Sequence, residues 1–198
     1  MGLKLVTIKN EPNVVDSSNQ SWEKYHPSKP GSAKFCYYLS RPGSELPIRK
    51  GRKGEPYFED KTYNEKSFCN QRGIRSKKAS YLIFITRYKG KKKNYKNGVF
   101  ITGFFPIDYF KQVIHPWKKS KKGVAFKSDT VKFLSIEDSI NLKEKWEIWF
   151  KTPLPNNIRH MAKFLDVKKY KSVIEEIKTH FSNKPNAIEN YIEEIKRS

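Results

Sequence analysis

The chain of 198 residues carries 41 Lys and Arg against 20 Asp and Glu. The resulting formal charge of +21 costs self-repulsion and points to a polyanionic partner: DNA, RNA or an anionic lipid surface. Hydrophobic residues at 36% and aromatics at 14% supply a packed core and exclude a disordered basic tail, while the longest apolar run, Tyr81-Leu82-Ile83-Phe84-Ile85, is far below the roughly 18 residues of a transmembrane helix.

In chain order, residues 3–8 read as a short strand, and no sustained apolar stretch of a signal peptide accompanies them. Cys36 and Cys69 then read as reduced thiols, and the expected location is cytoplasmic. Residues 10–32 lose periodicity and predict a long loop or arm, anchored by Trp22 and Tyr25. Ala33–Ser40 is aromatic enough for a strand and stops at Arg41-Pro42-Gly43. Residues 41–78, broken by prolines and glycines, predict a long basic loop region.

Tyr81–Tyr88 and Val99–Phe105 are β-branched and aromatic runs joined by a segment holding Gly90 and Asn97-Gly98, which predicts an antiparallel hairpin. Six basic residues from Arg87 to Lys96 would stand at its tip. A short helix is expected after Pro106, then a basic loop at Lys118–Lys122, then strands near Gly123–Phe126 and Thr130–Ser135. Trp146, Trp149 and Phe150 are expected in the core.

Beyond Pro155 the apolar spacing turns helical. Ile158, Met161, Phe164 and Leu165 form one stripe, Val173, Ile174, Ile177 and Phe181 a second, and Ile188, Tyr191, Ile192 and Ile195 a third. The expected class is therefore α+β, with a β-rich basic domain at 1–152 and a helical segment at 153–198 packed on it. From His160 onward eight basic residues face six acidic ones, so +19 of the +21 lies earlier in the chain.

The candidate binding residues are cations of the loops. Arg49-Lys50-Gly51-Arg52-Lys53-Gly54 sets four of them around two glycines, which let backbone N–H groups approach a phosphate. Arg41, Arg72, Arg75, Lys77, Lys78, Arg87, Lys91, Lys92, Lys93, Lys118 and Lys119 complete the set. Aromatic residues interleave with them, and bases stack on aromatic faces, so single-stranded or extruded bases fit the pattern. The bland alternative is solvated loops with no dedicated ligand. The expected partner is DNA or RNA rather than a membrane, because the apolar helical stripes sit in the nearly neutral C-terminal part.

Catalytic signals are sparse. Glu59-Asp60-Lys61 has the acidic-x-Lys spacing of a metal-dependent nuclease, the alternative function, but Asp166/Lys168, Glu176/Lys178 and Glu194/Lys196 share it by chance in a Lys-rich chain. His26, His115, His160 and His180 are not spaced as zinc ligands, so neither catalytic residues nor a metal or cofactor are assigned.

The succession Tyr81–Thr86, Val99-Phe100-Ile101-Thr102-Gly103-Phe104-Phe105 and Val131–Leu134 resembles the middle of a PUA-like β-barrel of the EVE and YTH type, over about residues 33–135. The resemblance implies a mixed or antiparallel barrel and recognition of a modified or flipped base in an aromatic pocket. Trp22, Tyr37, Tyr38 and Trp117 would be the pocket candidates, although no pair of tryptophans marks a YTH cage in this sequence.

Overall fold

The computed structural model describes residues 21–26, 31–39, 67–70, 79–88, 98–114, 122–156, 164–190 and 193. Its strands form two sheets. The expected hairpin is the centre of the larger one: β4 (Ala79–Tyr88) runs antiparallel to β5 (Gly98–Pro106), from Tyr81 opposite Pro106 to Tyr88 opposite Gly98. Side chains of a strand alternate between faces, and both faces of β4 are buried. Leu82 and Phe84 enter one core, Ile83 and Ile85 the other.

Thr102 is an extra residue of β5, where the register shifts between Phe84 and Ile85. Such a bulge twists the strand. The Thr86 and Thr102 hydroxyls, both inaccessible to solvent, satisfy each other at 3.1 Å. Gly103 stands between Phe84 on one side and Phe133 on the other, and the two rings meet there with centroids 5.0 Å apart.

β2 (Ser32–Leu39) runs parallel to β4 on the side away from β5. β8 (Lys132–Phe133) and β9 (Ile140–Asn141) pair with successive stretches of β5. The smaller sheet is antiparallel throughout, in the order β1 (Glu23–Lys24), β6 (Tyr109–Ile114), β7 (Lys122–Lys127), β3 (Ser67–Asn70). The α+β class is as expected, and among the described residues the strands form two sheets with no closure into a barrel.

The sheets enclose Tyr25, Cys36, Leu82, Phe84, Phe105, Phe126 and Phe133. Tyr25 meets Phe110 and Phe126 edge-on, at 5.9 and 6.2 Å between centroids. Burial pushes the Cys36 thiol up to about 11 and the Tyr25 phenol up to about 12. The Tyr25 hydroxyl finds no hydrogen-bond partner among the described residues.

Two helices cover the other face of the larger sheet. α2 (Lys171–Ser182) inserts the expected stripe of Val173, Ile174, Ile177 and Phe181 against Ile83, Ile85, Ile101 and Phe104. α1 (Leu142–Phe150) falls in a stretch of the β-rich domain to which the sequence reading assigned no element. Asn141 caps it, accepting from the Lys143 amide at 3.1 Å and donating to Glu144 at 2.7 Å. Trp146 and Phe150 meet at a tilt, 4.3 Å between centroids, and pack on Phe35, so the aromatic residues of this segment do join the core, as half-buried neighbours. Glu176 ties the helices together, accepting from the Trp149 indole at 2.7 Å and pairing with Lys145 at 2.8 Å.

Three expectations are corrected. The helix after Pro106 is the strand β6: Ile107 and Asp108 form a corner held by Ile107 N–H to Ser80 carbonyl and Asp108 N–H to Lys127 carbonyl, and the following residues pair with β7. Phe164 and Leu165 belong to β10 (Phe164–Asp166), which is antiparallel to β2 at the edge of the larger sheet, so residues 153–198 supply a strand as well as helix. The strand expected at Thr130–Ser135 contracts to Lys132–Phe133. Ile188 begins a further helical turn at 188–190, while the strand expected at 3–8 lies outside the described residues.

Candidate nucleic-acid interface

The smaller sheet has one face in the core and one turned away from it. Phe110 of β6 and Phe126 of β7 face each other across the pair and point inward. Strand alternation therefore turns Tyr109, Lys111 and Lys127 outward. On β1, Lys24 stands opposite Tyr109 and precedes the buried Tyr25, so it shares this outer face. One residue further along the same register, Trp22 falls opposite Lys111.

The side chains interlock accordingly. The Lys111 ammonium stands over the Trp22 ring, 4.4 Å from its centroid, and the Lys127 ammonium stands over Tyr109 at 5.6 Å. Trp22 and Tyr109 are both half-buried and Lys24 is exposed. Tyr109 is held from below: Asp108 accepts from the Asp129 amide at 2.7 Å and from the Ser128 hydroxyl at 3.3 Å, which sets Asp129 beside the ring. A hydrogen bond to Asp129, and then the charge of that carboxylate, raises the Tyr109 phenol above its ordinary value of 10.0. The result is a face of two aromatic rings and three ammonium groups, with the Asp129 carboxylate bonded to the Tyr109 hydroxyl, suited chemically to planar groups that carry negative charge.

Of the residues expected from sequence, Trp22 is on this surface. Arg87 is not: it lies near the end of β4, half-buried, and donates to the Asn156 carbonyl at 3.2 Å, tying the chain after α1 to the larger sheet. Tyr37 and Tyr38 are on β2 of the larger sheet, opposite Ile85 and Thr86, and their side chains lie outside the described residues. Arg41, Arg49, Lys50, Arg52, Lys53, Arg72, Arg75, Lys77, Lys78, Lys91, Lys92, Lys93, Trp117, Lys118, Lys119 and the Glu59-Asp60-Lys61 triplet also lie outside them. The pairing of Tyr88 with Gly98 and of Ile114 with Lys122 brackets two of these basic segments.

Sequence reasoning missed Lys24, Tyr109, Lys111 and Lys127. A signal was present in residues 109–114, where Tyr109, Phe110, Val113 and Ile114 are aromatic or β-branched, but Pro106 and Asp108 ahead of it imitate the start of a helix. Among the described residues no three His, Cys, Asp or Glu side chains converge as a metal site, and no helix is long and apolar enough to cross a membrane. Compared with protein-family models, with curated proteins and with solved structures, the chain matches none.

Proposed function

We propose that this protein binds nucleic acid, holding phosphates with lysine and arginine and bases with aromatic faces. The observation that carries the reading is the outer face of the smaller sheet, where Trp22 and Tyr109 alternate with Lys24, Lys111 and Lys127. The charge of the chain, +21, agrees in sign and size with a polyanionic ligand. The lysines cap the rings without sealing them. An exposed cation–π contact is worth about 0.5–1 kcal/mol, less than the about 1–3 kcal/mol of a base stacked on the same kind of ring. An ammonium that gives up the ring to a base gains a phosphate in exchange.

The reading of residues 33–135 as related to PUA-like domains of the EVE and YTH type belongs to the proposal. It adds tighter binding of a modified base, with Trp22, Tyr37, Tyr38 and Trp117 as candidates. Fluorescence anisotropy at about 0.15 M salt on DNA and RNA, with and without methylated adenine or cytosine, tests both parts. The binding reading expects affinity to fall linearly with salt on a log–log plot, by about 0.9 per phosphate contact for duplex DNA and about 0.7 for single strands. Absence of binding to every oligonucleotide refutes it. Equal binding of methylated and plain strands removes the modified-base part alone.

A further inference from the structure

We infer that the ligand of the outer face of the smaller sheet is single-stranded, and that it binds by exchanging base for cation at Trp22 and Tyr109. The inference rests on the nucleic-acid reading above and narrows it to one class of ligand.

The register supplies the first argument. Trp22 lies opposite Lys111, and Tyr109 is two residues from Lys111 on β6, so the two rings are diagonal neighbours across β1 and β6. Diagonal neighbours of an antiparallel pair are about 7–8 Å apart. Bases within one strand of a duplex repeat at about 3.4 Å, each covered on both faces by the next. Two platforms at twice that spacing match two consecutive bases of a splayed strand, and a stacked duplex offers them no free face.

The second argument is the disposition of charge. Tyr109 has Lys24 opposite it on β1 and Lys127 opposite it on β7, so it is flanked by an ammonium group on each side across the sheet. Lys111 stands beside Trp22 in the same manner. Each ring thus has a cation within reach of the phosphate of the nucleotide whose base it would take. In the free protein those cations occupy the rings at 4.4 and 5.6 Å. In the complex the base takes the ring and the ammonium moves to the phosphate, with no covalent change and no movement of the strands, whose hydrogen-bonded pairing fixes the platform.

The full chain is titrated into fluorescein-labelled oligothymidylate and oligouridylate of about 12 nucleotides, a length within the range of single-strand sites, and into a DNA duplex of equal length. The two homopolymers separate DNA from RNA as the source of the strand. The expected result is tighter binding of a single strand than of the duplex. Trp22→Ala and Tyr109→Ala should each weaken single-strand binding about 5- to 150-fold and leave duplex binding unchanged. A label-free reading needs no destabilising variant: unlabelled oligothymidylate or oligouridylate should quench tryptophan fluorescence, and Trp22→Phe, which keeps an aromatic platform, should remove that quenching while retaining binding. Single-strand binding that is indifferent to both alanine variants, with quenching that persists in Trp22→Phe, overturns the inference and leaves the nucleic-acid reading intact. Duplex binding as tight as single-strand binding does the same. No binding to any of the three defeats both.

Discussion

Replacing Gly103 by alanine sets a Cβ into the edge of the Phe133 ring and 2.9 Å from Cδ2 of Phe84. Neither ring has an easy retreat. Both are inaccessible to solvent, Phe84 also packs against Phe105, and the backbone of Phe133 is held by the Asn186 side chain and by the Ala187 amide. Overpacking a filled core costs about 1–3 kcal/mol, and the clash with two fixed rings puts this site near the upper end. At about 2–4 °C per kcal/mol for a chain of this size, the midpoint of thermal unfolding should fall by about 6–12 °C. The assay is a thermal melt followed by circular dichroism, with Phe133→Leu as a second substitution. Leucine removes the ring edge that the new methyl meets, so Gly103→Ala should cost at least about 1 kcal/mol less in the Phe133→Leu background. A loss below about 1 kcal/mol for Gly103→Ala alone, or additive losses in the double variant, would refute the reasoning.

Tyr25→Phe removes a buried hydroxyl that has no partner among the described residues and keeps the edge-on ring contacts, so stability should rise by about 1 kcal/mol; a fall in the melting midpoint would show that the hydroxyl is bonded. Hydrogen bonds from Lys145, and then from the Trp149 indole, hold the Glu176 carboxyl below its ordinary value of 4.5 against the opposing pull of desolvation. The folded value being the lower one, the contribution of Glu176 is present above that ordinary value and is lost as the pH falls through the folded one. The advantage of the wild type over Glu176→Gln should therefore shrink as the pH falls below the ordinary value of 4.5, and a difference that stays constant as the carboxyl is protonated would sink the assignment.

The hairpin β4–β5 and the helix α2 were legible because each is local: a strand pair with turn residues between its arms, and a stripe at helical spacing. The rest depended on distant partners. Phe164 and Leu165 fit a helical stripe equally well, and only β2, far earlier in the chain, makes them a strand. β1 is two residues long, and nothing in Glu23-Lys24 announces a strand without β6 beside it. The helix α1 carries a capping signal in the sequence, Asn141 followed three residues later by Glu144, which was not used. Dependence on distant partners also governed the candidate interface. Trp22 stood out as an aromatic residue in a polar stretch, whereas the lysines around it owe their meaning to the pairing of β1, β6 and β7.

The pairing of β10 with β2 has a consequence for how the chain is made. Synthesis delivers β2 first and β4 next, yet the other edge of β2 stays without its partner until Phe164–Asp166 has left the ribosome. Its unpaired amides and carbonyls then form an open template that a second nascent chain can join. β10 covers Ser32–Lys34 of this edge and comes after almost the whole sheet, so a chain that stops short of it leaves that stretch open. Translation through Asp166 is therefore what supplies the partner of this stretch of β2.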